Sequence, residues 1–240
     1  MTRILLTGAS RGIGAAALQM LEKRGCTVIG QATPRAVKIG SRTMLSADFS
    51  EPSAPQALWE EALEVAGGTI DVLINNAGVF KANPIETSDI AWIDAWEETL
   101  RVNLSAAAQL SRFAIRHWQA RGTEGRIVHI ASRAGHRGDS PQPWHYAASK
   151  GAMLALHKTI ARAHAHEGIT SFAIAPGFTD TSMADDYLES RGGEGLLSDI
   201  PIGRVATPDE VASTITYCAL DAPASMTGAT LDVNGASYVR

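Results

Sequence analysis

A chain of 240 residues, 45% hydrophobic and 19% charged, has room for one well-buried core and is too apolar to stay unfolded. A net charge of −4 without any lysine or arginine run excludes the basic stripe of a nucleic-acid binder. No apolar stretch approaches the ~20 residues of a membrane span and the first one stops at Gly8, so a cytoplasmic protein is expected, with Cys26 and Cys218 reduced.

In chain order, short aliphatic or β-branched runs alternate with longer amphipathic stretches. Strands are predicted at residues 3–7, 27–31, 42–47, 71–75, 126–131, 170–175 and 230–233. Helices are predicted at 13–24, 54–65, 91–121, 146–167 and 208–220. Most strands are nearly continuous apolar runs, the pattern of strands covered on both faces. Alternation of this kind predicts an α/β fold: one domain over residues 1–240, a Rossmann-type, doubly wound parallel sheet of about seven strands with helices on both faces. The connection from 33 to 42 is too short for a full helix with two loops, so that crossover is expected to be abbreviated. Such sheets bind ligands beyond the carboxyl ends of their strands, where the strand order reverses. Polar residues just after strands are therefore the candidates.

After the first strand comes Thr7-Gly8-Ala9-Ser10-Arg11-Gly12-Ile13-Gly14, leading into a helix. Glycines there permit close backbone approach to a pyrophosphate, whose charge the helix N-terminus favours. No Lys-Ser/Thr pair follows, which disfavours a nucleoside-triphosphate loop. An NAD site usually offers a carboxylate near the end of the second strand, yet no Asp or Glu occurs between Glu22 and Asp48. Thr33 and Arg35 stand there instead, with Arg11 in the glycine loop. A guanidinium and a hydroxyl can hold a 2′-phosphate, so NADP(H) is expected, with NAD(H) as the weaker option.

Tyr146 and Lys150 open the helical stretch at 146–167, and an i, i+4 pair shares one helical face. An ammonium beside a phenol favours phenolate and is expected to lower the tyrosine pKa towards neutrality. Ser132 follows the apolar run 127–131, where a donor can polarise a carbonyl. Asn103 lies within the long helical stretch; asparagine is a poor helix former, and a surface position is the ordinary expectation. His164 and His166, two residues apart, do not share a helical face and are expected at the surface.

Together these motifs resemble the short-chain dehydrogenase/reductase family through the whole chain. The resemblance rests on the loop Thr7–Gly14, Asp48, Asn75-Asn76-Ala77-Gly78, Asn103, Ser132, Tyr146-x-x-x-Lys150, Pro176-Gly177-x-x-x-Thr181 and the tail from Pro201 to Gly235. It implies an oxidoreductase that moves a hydride between nicotinamide and a carbonyl/alcohol carbon, without a metal. Tyr146 would be the acid in reduction and the base in oxidation. Lys150 would lower its pKa and bond the nicotinamide ribose, and Ser132 would hold the substrate oxygen. Asn103 would kink its helix and position a water behind the lysine. Gly8, Arg11, Gly12, Ile13 and Gly14, with Ser10 in the same loop, would hold phosphates and ribose. Thr33 would meet the 2′-phosphate, Asp48 and Phe49 would flank the adenine, and Asn75, Ala77 and Gly78 the adenosine ribose side. Pro176, Gly177, Thr179 and Thr181 would face the nicotinamide carboxamide.

Several segments look most like the 3-oxoacyl-(acyl-carrier-protein) reductase subgroup. Those reductases tend to carry arginine before the glycine that opens the sixth strand, whereas this chain has Glu167 before Gly168. A small ketone or a thioester not delivered by a carrier is therefore the expected substrate, with a carrier-protein substrate left open through other basic residues such as Arg121 and Arg126. Residues 133–145 and 183–200 are expected to wall its pocket, with Trp144, His145 and Tyr187 as lining groups and Gly192, Gly193 and Gly195 letting the second segment move. An alcohol, polyol or sugar dehydrogenase is the alternative, and a non-catalytic dinucleotide sensor a remote one. The resemblance also implies a homotetramer, with no nucleic-acid or membrane partner.

Overall fold

The computed structural model describes residues 1–34, 44–180 and 197–240. The strands are β1 (Arg3–Leu6), β2 (Thr27–Ala32), β3 (Met44–Ser46), β4 (Val72–Asn75), β5 (Gly125–Ile130), β6 (Ile169–Pro176) and β7 (Thr230–Val233). They form one sheet in the order β3-β2-β1-β4-β5-β6-β7, and every pairing is parallel. The chain starts in the middle with β1, builds outward through β2 and β3, and returns to the other side of β1 with β4. That reversal leaves a crevice beyond the carboxyl ends of β1 and β4.

The helices are α1 (Gly12–Lys23), α2 (Ala54–Val65), α3 (Asp89–Leu100), α4 (Ala106–Arg121), α5 (Ala134–Arg137), α6 (Trp144–His164) and α7 (Pro208–Thr216). Alternate side chains of the strands feed two cores, as a period of two requires. Ile4, Leu6, Ile74, Val128 and Ile174 pack with α1 and α7 on one face. Leu5, Ile29, Leu73 and Ile127 pack with α2 and α4 on the other, where Trp118 is buried and its indole N–H donates to the Ile70 carbonyl at 2.7 Å. Burial on both faces explains the unbroken apolar runs.

Three expectations change. The stretch at 91–121 is not one helix: α3 and α4 are joined by a π-type turn, Arg101–Ser105, with Asn103 at its middle. Asn103 is also 0% exposed rather than on the surface. Its amide is needed inside, as shown below. Residues 134–137, which lie between predicted elements in the segment expected to wall the pocket, form the short α5 shortly after Ser132. The abbreviated crossover expected at 33–42 lies largely outside the described residues.

Candidate active site

The crevice is a cleft of about 750 Å³ that runs from the β1–α1 loop to the residues following β5 and β6. At the first end, Gly8 has φ +67 and lies against Ala77, where a Cβ would stand 2.8 Å from the Ala77 Cα. A Cβ on Gly14 would collide with the Gly8 carbonyl oxygen. Only glycine fits this fold-back, which turns the N-terminus of α1 towards the cleft. That N-terminus has no side-chain cap and no acidic residue in its first turn. Its amides and dipole are thus presented to an anion, and the cradle fits a dinucleotide pyrophosphate.

The loop is braced by residues whose role was not legible. Thr7 Oγ1 accepts from the N–H groups of Asn76 and Ala77 at 2.9 and 3.0 Å. Asn76 Nδ2 donates to the carbonyls of Thr7 and Gly8 at 2.9 and 3.0 Å. Gln31, 2% exposed, accepts from Gly8 N–H at 2.8 Å and donates to the Ala47 carbonyl at 2.7 Å. A buried amide at a strand end was the only available signal for Gln31. Ser10, Arg11, Gly12, Ile13, Thr33, Asp48, Phe49, Ala77 and Gly78 all line the cleft. Asn75 does not: its side chain lies beneath the cleft, 3.1 Å from Ser111 Oγ and 3.4 Å from His129 Nδ1. The Asp48 carboxylate turns back to accept from the Ser50 N–H and hydroxyl at 3.0 and 2.8 Å. Exposed Arg11 and Thr33 therefore stand at this end without a β2 carboxylate between them. Arg35 lies outside the described residues.

At the other end, Ser132, Tyr146, Lys150, Pro176, Gly177 and Thr179 come together; Thr181 is outside the described residues. Ser132 Oγ accepts the Ala134 N–H at 3.1 Å and shares a hydrogen bond with the Tyr146 phenol. Lys150 Nζ lies 5.7 Å from the Tyr146 ring centroid and donates to the Ile130 carbonyl at 2.7 Å. A Cβ at Gly78 would be 3.6 Å from that ammonium and 3.4 Å from Asn103 Oδ1, so the turn after β4 runs close beside both. Asn103 accepts from Val79 N–H at 2.8 Å and donates to its carbonyl at 3.0 Å and to Ser149 Oγ at 3.1 Å.

The electrostatics differ from the expectation. Burial pushes the Tyr146 phenol up to about 12, with Ser132 opposing and Asp139 reinforcing the rise. Burial pulls Lys150 down to about 8. The ammonium is committed to Ile130, so desolvation governs the phenol and keeps it protonated.

The expected substrate wall is also redrawn. Trp144 is 38% exposed, donates to the Asn83 carbonyl at 2.9 Å and packs edge-on against Trp92, 5.7 Å between centroids. His145 is fully buried. Neither lines the cleft. Phe80 does, edge-on to Tyr146 at 4.7 Å, and so do Arg133 and Phe178. Tyr187, Gly192, Gly193 and Gly195 lie outside the described residues. His166 is on the surface as expected and His164 is half-buried, both beside Glu167. No helix among the described residues is long and apolar enough to cross a membrane.

The family model described as enoyl-(acyl carrier protein) reductase matches residues 8–236. The chain is 34% identical to the 3-oxoacyl-[acyl-carrier-protein] reductase FabG of Salmonella typhimurium, over 98% of this chain and 96% of that protein. It is 35% identical to nodulation protein G of Rhizobium sp. (strain N33), over 97% of this chain and 95% of the relative. A crystal structure described as a putative NAD(P)-dependent gluconate 5-dehydrogenase from Beutenbergia cavernae, with bound NADP, superposes with a TM-score of 0.87 at 31% identity, covering 98% of this chain and 95% of the other. The parallel sheet, the glycine cradle and the Ser132–Tyr146–Lys150 cluster agree with these likenesses: the chain belongs to the short-chain dehydrogenase/reductase family of oxidoreductases.

Proposed function

We propose that this protein is an NADP(H)-dependent carbonyl reductase acting on a small ketone or a 3-oxoacyl thioester that is not delivered by a carrier protein. One observation carries the reading: a single cleft joins an uncapped helix N-terminus at one end to Ser132, Tyr146 and Lys150 at the other. Arg11 and Thr33, with no carboxylate at the end of β2, favour a 2′-phosphate over free ribose hydroxyls.

When bound, nicotinamide supplies the hydride that reaches the carbonyl carbon, or accepts it in the reverse direction. The protein handles the oxygen and the proton. Ser132 and Tyr146 hydroxyls hold the substrate oxygen, and the Tyr146 O–H breaks as the new alkoxide oxygen takes its proton. The phenolate left behind regains a proton past Lys150, whose own pKa near 8 leaves it largely charged at neutrality yet able to exchange. Asn103 acts through position, tying the π-type turn to Val79 and Ser149. A phenol held at about 12 is reliably protonated at neutral pH, which suits reduction.

Glu167 accepts from Gln119 at 2.8 Å and from His164 at 3.2 Å, and these bonds hold its carboxyl below the usual range. A standing negative charge there opposes docking of an acidic carrier. A homotetramer is the assembly the family resemblance implies and belongs to this reading. NADPH oxidation measured against ketones, β-keto esters and acyl thioesters tests the whole reading. Equal turnover of carrier-bound and free thioesters would contradict the carrier argument, and turnover of polyols alone with NADP would favour the dehydrogenase alternative.

A further inference from the structure

We infer that Phe80 is a positioning residue for Tyr146, its ring packed edge-to-face with the phenol ring so that the hydroxyl stays where it meets the substrate oxygen; this rests on the carbonyl-reductase reading. Phe80 lines the cleft from the turn that follows β4. Its ring centroid lies 4.7 Å from that of Tyr146, with the two planes at 86°. At that separation and angle the positive edge of one ring meets the negative face of the other. Such an attraction depends on orientation, so it resists tilting of either ring.

Both rings are aimed by one buried amide. Asn103 holds Val79, the residue before Phe80, by its N–H at 2.8 Å and by its carbonyl at 3.0 Å. The same amide donates to Ser149 Oγ at 3.1 Å, and that hydroxyl donates to the Tyr146 carbonyl at 2.7 Å. The backbone beneath each ring is thus tied to a common point in the π-type turn. What the backbone leaves open is rotation of the Tyr146 side chain, and the hydroxyl at its far end moves most when the ring tilts. Its hydrogen bond with Ser132 steadies it before substrate arrives. A carbonyl oxygen then competes for both hydroxyls, while Lys150 is held by the Ile130 carbonyl. The Phe80 contact uses the ring rather than the hydroxyl, so it persists through that exchange. A displacement of about 1 Å at the reacting atoms costs up to roughly 10²-fold in rate.

The test compares wild type with Phe80→Leu, which keeps apolar bulk but loses the flat ring, and with Phe80→Tyr, which keeps the ring. Reduction of the best ketone or free thioester is followed by NADPH oxidation in H2O and in D2O, and nucleotide fluorescence reads NADPH affinity. Phe80→Leu should lose roughly tenfold in kcat while NADPH affinity stays within about twofold of wild type. Its solvent isotope effect should be at least as large as that of wild type, because transfer of the phenol proton is the step that slows. Phe80→Tyr should return kcat to within about threefold of wild type. Should Phe80→Leu not fold, Phe80→Met, apolar and without a ring, carries the same expectation. An unchanged kcat in the ringless variant overturns the assignment and leaves the reductase reading standing, as does an equal loss in Phe80→Tyr. A fall in NADPH affinity that matches the fall in kcat also overturns it, giving Phe80 to the coenzyme. So does a smaller solvent isotope effect, which puts the loss in another step. Wild type that reduces no ketone or thioester sinks both readings.

Discussion

Asn103 clasps Val79 with both ends of its amide, accepting from the backbone N–H at 2.8 Å and donating to the backbone carbonyl at 3.0 Å. The contact locks the turn after β4 onto the π-type turn between α3 and α4, and π-type turns recur at functional sites.

Replacing Asn103 with leucine preserves its bulk but strips both Val79 groups of their partner. Burying them unsatisfied should cost about 2–4 kcal/mol, measured by urea unfolding. A loss below about 0.5 kcal/mol would mean that the clasp is not formed in solution.

Tyr146→Phe should bind NADPH as wild type does while kcat for ketone reduction falls roughly 10²–10⁴-fold. Burial raises the phenol to about 12 and lowers Lys150 to about 8. The signs oppose each other. Between about pH 8 and its ordinary value near 10.4, Lys150 binds fewer protons folded than unfolded, so stability rises with pH. From about pH 10 to 12, Tyr146 binds more protons folded than unfolded, so stability falls as pH rises through its native pKa. Unfolding midpoints across this range should flatten at the lower end in Lys150→Met and at the upper end in Tyr146→Phe.

His129 of β5 and His157 of α6 are fully buried, their rings 6.2 Å apart. Burial is the main cause holding them down, to about 3 and about 4 respectively. Both are neutral when folded at pH 5, where the unfolded chain would protonate them. Stability is therefore present above the ordinary histidine value near 6.5 and is lost as pH falls, by at most about 1.4 kcal/mol per pH unit for each ring. His157→Gln should shallow that acid slope. Its Nε2 partner is the Gly228 carbonyl and its Nδ1 partner is Ser171 Oγ, so the amide has bonds to replace.

Arg11→Ala should raise KM for NADPH roughly tenfold or more and leave KM for NADH nearly unchanged, narrowing the preference between them. Thr33→Asp, which restores a carboxylate beside the end of β2, should favour NADH. Parallel losses with both nucleotides in Arg11→Ala would show a role in the pyrophosphate cradle rather than in choosing the 2′-phosphate.

Much of this protein is legible in the order of its residues because local rules set it. Unbroken apolar runs declare strands buried on both faces, and the glycines at 8, 12 and 14 declare the tight entry into α1. The i, i+4 spacing of Tyr146 and Lys150 places both on one helical face whatever surrounds them. Other features depend on what lies across the fold. Asn103 reads as a surface residue until the turn at Val79 is brought to it, and Asn75 reads as a ligand contact until Ser111 and His129 claim its amide. The acidity of Tyr146 departs from its sequence expectation for the same reason: spacing supplies a nearby ammonium, but only the packed interior shows that Ile130 holds it and that desolvation prevails. Sequence fixes which groups are neighbours along the chain; burial and long-range hydrogen bonds, which act between residues far apart in it, decide what those groups do.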